Sequence, residues 1–292
     1  MTQISKDQNS VGKYANSYAA FLSEADILSY LLPIDSLFVI REDMFNDRLY
    51  KKNRGLQIND ESYIMKCSYW DALDSYTEHI SSSFIRECGY SAQHTFMGIY
   101  NASIAVLCKD FTNEYGLLKP FEFNSEYWIY EYYLSELIEY FEMKKNCDVD
   151  DCVKKFWEMC LFDILLDNRD RHSGNVGFCI KNEEHVFSPL YDNAQTLDHD
   201  IFKNKYFNNF KTANPELIIS ECGLTRSWYE YKHKNEQPRD IISKFQELDV
   251  VSAMDRSTAG FKDEWRSYFR TIIYYRHKCL IRGDKFVWEG MK

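Results

Sequence analysis

An apolar stripe that runs straight into a knot of charged residues constrains this chain more than any other feature. Val153, Phe156, Trp157, Cys160, Leu161, Ile164 and Leu165 recur at i, i+3, i+4, i+7, i+8, i+11 and i+12. That is the one-sided spacing of a helix packed on a core. The stripe stops at Asp167-Asn168-Arg169-Asp170-Arg171-His172-Ser173-Gly174-Asn175. Val176 to Ile180 and His185 to Ser188 then read as two strands turning across Lys181-Asn182-Glu183-Glu184, with Pro189-Leu190-Tyr191-Asp192-Asn193 behind them. A hairpin of that length returns Asp192 to the end where Asn175 sits. Asp-rich turns after a helix commonly do no more than cap and turn the chain. Here two acidic oxygens and an amide oxygen converge, and such hard donors suit Mg²⁺, which keeps several waters and shares its shell with phosphates.

The rest of the chain separates by period. From Leu37 to about Phe111 short strands dominate: Ser62 to Cys67, then Phe96 to Tyr100 and Ser103 to Cys108 as a hairpin turning at Asn101-Ala102. Between them Tyr76 to Cys88 reads as a helix with Ile80, Phe84 and Ile85 on its apolar face and Gly89 as its C-cap. Beyond Pro120 the period is helical. One helix is expected from about Glu126 to Lys145, capped by Asn124 or Ser125, and a late one carries Trp265, Phe269, Ile272, Ile273, Arg276 and Leu280. Strands first and helices after make the chain α+β, with the boundary near Thr112 to Pro120. Residues 1–112 and 113–292 form the two expected units, and residues 1–36 carry no assignable role.

Composition narrows the partners. The 292 residues carry a formal net charge of −10, which argues against nucleic acid as the main partner. No apolar run approaches the roughly 20 residues of a membrane span, and the N-terminus lacks the pattern of a secretory signal. The 9 cysteines contain no C-x-x-C pair and read as thiols of a reducing cytoplasm.

An Asp, an Asn five residues on, and a metal-binding Asp after a hairpin is the order protein kinases use. Asn168-Arg169-Asp170-Arg171-His172-Ser173-Gly174-Asn175 resembles the N-x-D-R-H-x-x-N catalytic loop of the HipA-like kinases. Pro189-Leu190-Tyr191-Asp192 resembles their P-x-Y-D, and the D-R-H-x-x-N core is also similar to that of phosphatidylinositol kinases. Upstream, Lys66 lies in the Tyr63-Ile64-Met65-Lys66 strand, and Glu78 opens the following helix. Alone, each reads as a surface charge or a helix-dipole partner. Together, upstream of such a loop, they read as the phosphate-binding lysine and its helix glutamate. Tyr76-Thr77-Glu78-His79-Ile80-Ser81-Ser82 is similar to the Y-x-E-x-x-x-S helix of the family. No G-x-G-x-x-G precedes Lys66, where Gly55 is the one nearby glycine.

The resemblance implies a bilobal, protein-kinase-like fold with a strand-rich N-lobe and a mostly helical C-lobe, using ATP and Mg²⁺. It implies that Asp170 accepts or orients the proton of the acceptor hydroxyl, while Asn175 and Asp192 bind the metal. Lys66 neutralises phosphates, and Glu78 holds Lys66. Val106 and Cys108 are expected to bind the nucleotide, within the stretch Ala105-Val106-Leu107-Cys108-Lys109-Asp110-Phe111 that resembles the strand and hinge where the adenine edge meets backbone groups. His172 joins the chemistry or makes a structural hydrogen bond. Asp167 caps the hairpin or takes a metal water. Residues 193–215 become the activation segment, with Lys203, Lys205 and Lys211 beside Tyr206, Phe207 and Phe210. The expected reaction moves the ATP γ-phosphoryl group to a Ser or Thr hydroxyl of a protein substrate. A toxin or delivered effector role, and an antitoxin or regulatory partner, belong to that family. The alternatives are a phosphoinositide or small-molecule kinase, and a nucleotide-binding pseudokinase acting as an interaction module. The missing glycine loop favours the latter, and the complete set of Lys66, Glu78, Asp170, Asn175 and Asp192 disfavours it.

Overall fold

The computed structural model describes residues 32–33, 39–40, 53–58, 60–67, 73–100, 103–123, 129, 132–197, 236 and 238–282. The first part is a six-stranded sheet of β1 (Leu32–Pro33), β2 (Val39–Ile40), β3 (Asn53–Ile58), β4 (Glu61–Cys67), β5 (Thr95–Tyr100) and β6 (Ser103–Lys109). Its strand order is β1-β5-β6-β4-β3-β2. All neighbours are antiparallel except β1 and β5. In β4 the alternation decides everything. Lys66 pairs with Val106 and Ile64 with Cys108, so these four share one face. Tyr63, Met65, Ala105 and Leu107 take the other face, where they join Leu56 and Tyr100 in a small separate core.

Helix α1 (Leu73–Glu87) lies on the first face, its Ile80 and Phe84 packed into one core with Met97, Ile104, Val106 and Cys108. It starts three residues before the expected Tyr76, because Leu73 is itself buried and its carbonyl accepts from Thr77 Oγ1 at 2.9 Å. It ends as expected at Gly89, whose φ of 85° completes the turn. Tyr90 N–H donates to Ile85 and Gly89 N–H to Arg86, a Schellman closure.

The second part contains α2 (Thr112–Tyr115), β7 (Leu117–Pro120), α3 (Leu134–Glu142), α4 (Val149–Leu166), β8 (Gly177–Lys181), β9 (Glu184–Phe187), α5 (Arg239–Gln246), α6 (Val250–Ser257) and α7 (Asp263–Arg282). The hairpin of β8 and β9 is tighter than the sequence suggests. Lys181 pairs with Glu184, and Asn182 and Glu183 alone turn the chain, both at positive φ. It also gains β7 as a third strand, in the order β7-β8-β9. Gly177 permits that approach: a Cβ there would sit 2.5 Å from the Lys119 carbonyl oxygen.

Of the helix expected over Glu126 to Lys145, the described residues hold α3 over Leu134–Glu142, which ends before Lys145, while residues 124–128 with the expected caps Asn124 and Ser125 lie outside the described residues. Upstream, Ile129 N–H donates to the Arg171 carbonyl at 3.0 Å, which ties that residue to the charged loop. Glu136 then caps α3 by accepting from Tyr133 N–H at 2.6 Å. The apolar stripe falls on α4, which Asp148 caps through Asp151 N–H at 3.0 Å. All of the stripe is buried except half-buried Val153. Phe162 meets Phe84 of α1 edge-on at 6.2 Å, which joins the two parts through one continuous core. Trp265, Phe269, Ile272, Ile273 and Arg276 of α7 are buried as expected. No described cysteine forms a disulfide, and no described helix is long and apolar enough to cross a membrane.

Candidate active site

At the end of α4 the chain turns through Asp167, which adopts a left-handed φ of 52°. Its buried carboxylate holds Arg169 at 2.8 Å, so Asp167 serves the turn. Asn168 is fully buried. Its amide donates to Asp163 Oδ1 at 2.8 Å, and its oxygen accepts from Asp170 N–H at 3.0 Å. Arg171, also fully buried, organises the rest. Nε and Nη2 grip the two oxygens of Asp163 at 2.9 and 3.0 Å. Nη1 reaches the carbonyls of Asn175 at 2.6 Å and Tyr191 at 2.8 Å, and Nη2 also reaches Asn193 Oδ1 at 2.7 Å. One guanidinium therefore pins the loop to both the helix before it and the segment after the hairpin. Asp163 and Asn193 were not singled out from the sequence. The available signal for Asp163 was a carboxylate inside the otherwise apolar run from Met159 to Leu166.

The fold brings Lys66, Glu78 and Asp192 into contact. Lys66 Nζ lies 2.7 Å from Glu78 Oε2 and 2.7 Å from Asp192 Oδ1. Burial acts to depress the ammonium, but the two carboxylates hold it well above its usual value. Burial likewise acts to raise Asp192, and Lys66 overrides it, keeping the carboxylate below its usual range. Glu78 is completely buried, and its second oxygen accepts from Asn193 N–H at 3.0 Å. Asp192 has a left-handed φ of 56°, the kind of backbone outlier that accumulates at functional sites.

Asp170 keeps half of its side chain exposed. Burial of the remainder, opposed by His172 and reinforced by Asp192, raises its carboxyl above the ordinary range. Asn175, in a short 3₁₀ turn (Ser173–Asn175), donates its amide to the Asp170 carbonyl at 2.9 Å, which leaves its side-chain oxygen for a cation. His172 caps this turn: Nδ1 accepts from Gly174 N–H at 3.0 Å, while Nε2 stands 4.0 Å from Asp170 Oδ1. Tyr191 fixes the same turn by donating to the Gly174 carbonyl at 2.9 Å.

Val106 and Cys108 line the Lys66 face, and burial, opposed by Lys66 and reinforced by Glu78, raises the Cys108 thiol. Both sit in a strand paired on both sides, so their backbone groups belong to the sheet. The chain leaves the ladder at Asp110 and Phe111, and Phe111 packs 5.9 Å from Tyr191. Gly55 lies inside β3. Of the segment expected at 193–215, only 193–197 falls within the described residues, and Lys203, Lys205 and Lys211 lie outside them.

No three His, Cys, Asp or Glu side chains gather into a ready-made metal cage among the described residues. One carboxylate and one amide oxygen, in Asp192 and Asn175, suit a hard cation that completes its shell with water and phosphate. The donor set therefore fits Mg²⁺ carried with a nucleotide.

Set on a two-part α+β fold, this cluster places the molecule among the kinase-like proteins. The HipA-like C-terminal domain model matches residues 47–265, and the chain belongs to that family. It is 27% identical over 239 residues to the serine/threonine-protein kinase CtkA of Helicobacter pylori, covering 70% of each chain. The crystal structure of that organism's proinflammatory kinase CtkA superposes with a TM-score of 0.56 at 17% identity, over 79% of this chain and 93% of the other. The HipA of Shewanella oneidensis, solved with HipB and operator DNA, gives a TM-score of 0.47 at 11% identity, over 90% of this chain and 70% of the other.

Proposed function

We propose that this protein is an ATP- and Mg²⁺-dependent kinase that transfers the γ-phosphoryl group to a Ser or Thr hydroxyl of a protein. The observation that carries the reading is Lys66, held at 2.7 Å by both Glu78 and Asp192 across the two parts of the fold. Kinases need such a lysine beside the metal-binding aspartate. Lys66 would neutralise the nucleotide phosphates while Glu78 keeps it in place. Asp192 and Asn175 would hold the metal, which would offset the charge that develops on the phosphate oxygens. Asp170, half-exposed and next to that pair, would receive the proton of the attacking hydroxyl. Val106 and Cys108 would wall the base, and its edge would meet the backbone at Asp110–Phe111. His172 would position the loop through its bond to Gly174. Residues 1–112 and 113–292 would form the two lobes. The kinship with a serine/threonine-protein kinase supports a protein acceptor.

The test is incubation with Mg²⁺ and γ-labelled ATP, alone and with cell lysate or phosphoinositide vesicles. Label on protein Ser or Thr, lost in Asp170→Ala, supports the reading. Label on lipid alone moves the acceptor to phosphoinositides. ATP binding with no transfer to any acceptor would make the chain a pseudokinase.

A further inference from the structure

Asn193 follows Asp192 and is completely buried. Each of its polar groups is committed, and together they reach α1, the Arg171 loop and the turn that follows. Its backbone N–H donates to Glu78 Oε1 at 3.0 Å, and its side-chain amide donates to Ser82 Oγ at 3.1 Å, both on α1. Its side-chain oxygen accepts from Arg171 Nη2 at 2.7 Å, in the loop that carries Asp170. Its carbonyl accepts from Thr196 Oγ1 at 2.8 Å, which folds the following residues into a turn. That turn meets α1 again: Thr196 Oγ1 lies 2.7 Å from Ser81 Oγ, and the Ala194 carbonyl accepts from Thr77 Oγ1. Thr77, Glu78, Ser81 and Ser82 thus form a buried polar stripe at helical spacing, facing the 193–196 turn.

Resting on the kinase reading above, we infer that Asn193 is a positioning residue that locks the Glu78 helix, the Arg171 loop and the Asp192 segment into one unit. Buried polar groups tolerate no partial satisfaction. Swinging Asp192 away would break the Glu78 and Ser82 bonds together and strip Arg171 of an acceptor. The phosphate-facing lysine pair and the metal-facing carboxylate are therefore set or lost together.

Three variants test this: Ser82→Ala, Asn193→Ala and the double variant. Asn193→Ala should raise the Kd for Mg²⁺-ATP and the Mg²⁺ concentration for half-maximal transfer together, each by about tenfold. Ser82→Ala should shift both by less, and the double variant should be no worse than Asn193→Ala, because the two act through one bond. Hydrogen exchange supplies a readout independent of activity. In Asn193→Ala, peptides covering 74–85 and 190–197 should lose protection to the same extent. If α1 keeps its protection while 190–197 loses it, or if the two substitutions add, the coupling is wrong. Unchanged Mg²⁺ dependence in folded Asn193→Ala overturns it equally. Failure of the wild-type protein to bind Mg²⁺-ATP would overturn the kinase reading, whereas the exchange result still judges the lock.

Discussion

Arg171 and Asp170 are neighbours in sequence with opposite duties. Arg171 is fully buried and makes five hydrogen bonds to four residues, Asp163, Asn175, Tyr191 and Asn193. Removing it takes the guanidinium from the buried Asp163 carboxylate, and breaking a buried ion pair from one side costs about 3–5 kcal/mol. Arg171→Ala should therefore lower the denaturant midpoint steeply, and Arg171→Ala with Asp163→Ala should recover part of the loss. Asp170 has half its side chain in solvent, so Asp170→Ala should change stability by no more than about 0.5 kcal/mol. It should keep nucleotide affinity and lose roughly 10²–10⁴-fold in transfer. Melting temperature and label incorporation on one preparation check both statements. A cap-and-turn role would instead give a less stable protein with transfer intact. Because burial raises the Asp170 carboxyl, the acid limb of the transfer profile should lie above that of an ordinary aspartate. Lys66, Glu78, Asp170, Asn175 and Asp192, which carry the proposed chemistry, could be singled out because their spacing is itself a signal. Asn193 is spent on other protein groups and nothing in the linear sequence marks it, while Asp163 shows only as a charge inside an apolar run.

At the scale of elements, α1 is unusual in burying a polar face as well as an apolar one. Its His79 is buried with Nδ1 3.0 Å from Thr95 Oγ1, and burial pushes the imidazole down to about 4. An unfolded histidine titrates near 6.5. Above that value both states are neutral there, and His79 adds no pH dependence. As the pH falls from about 6.5 towards 4, the unfolded chain takes up the proton first, so stability declines. The loss at pH 5 should be about 2 kcal/mol. Urea unfolding at pH 7 and pH 5 checks it, and His79→Gln should flatten the dependence. If the variant loses as much as the wild type, His79 is not the sensor. The phase of α1, α4 and α7 was readable because apolar spacing is local. The start of α3 was not, since its N-cap is Tyr133, a residue type that does not mark a helix start in a sequence. Strand β7 escaped notice because only pairing with β8 defines it.

At the scale of the whole molecule, the strand-to-helix order of the sequence corresponds to the two parts of the fold. What the order does not convey is how they meet. The core is continuous from Phe84 in α1 to Phe162 in α4, and the polar contacts at Lys66 and Asn193 cross at the same junction. The account stands on Asp192 serving as a metal ligand that Lys66 holds ready. The most direct measurement is calorimetric titration of Mg²⁺-ATP into the wild-type protein and into folded Asp192→Ala. The account predicts Mg²⁺-dependent binding by the wild type and a loss of about 2 kcal/mol or more in the variant, roughly a thirtyfold rise in Kd. Equal affinity in the two proteins, or binding indifferent to Mg²⁺, would contradict it.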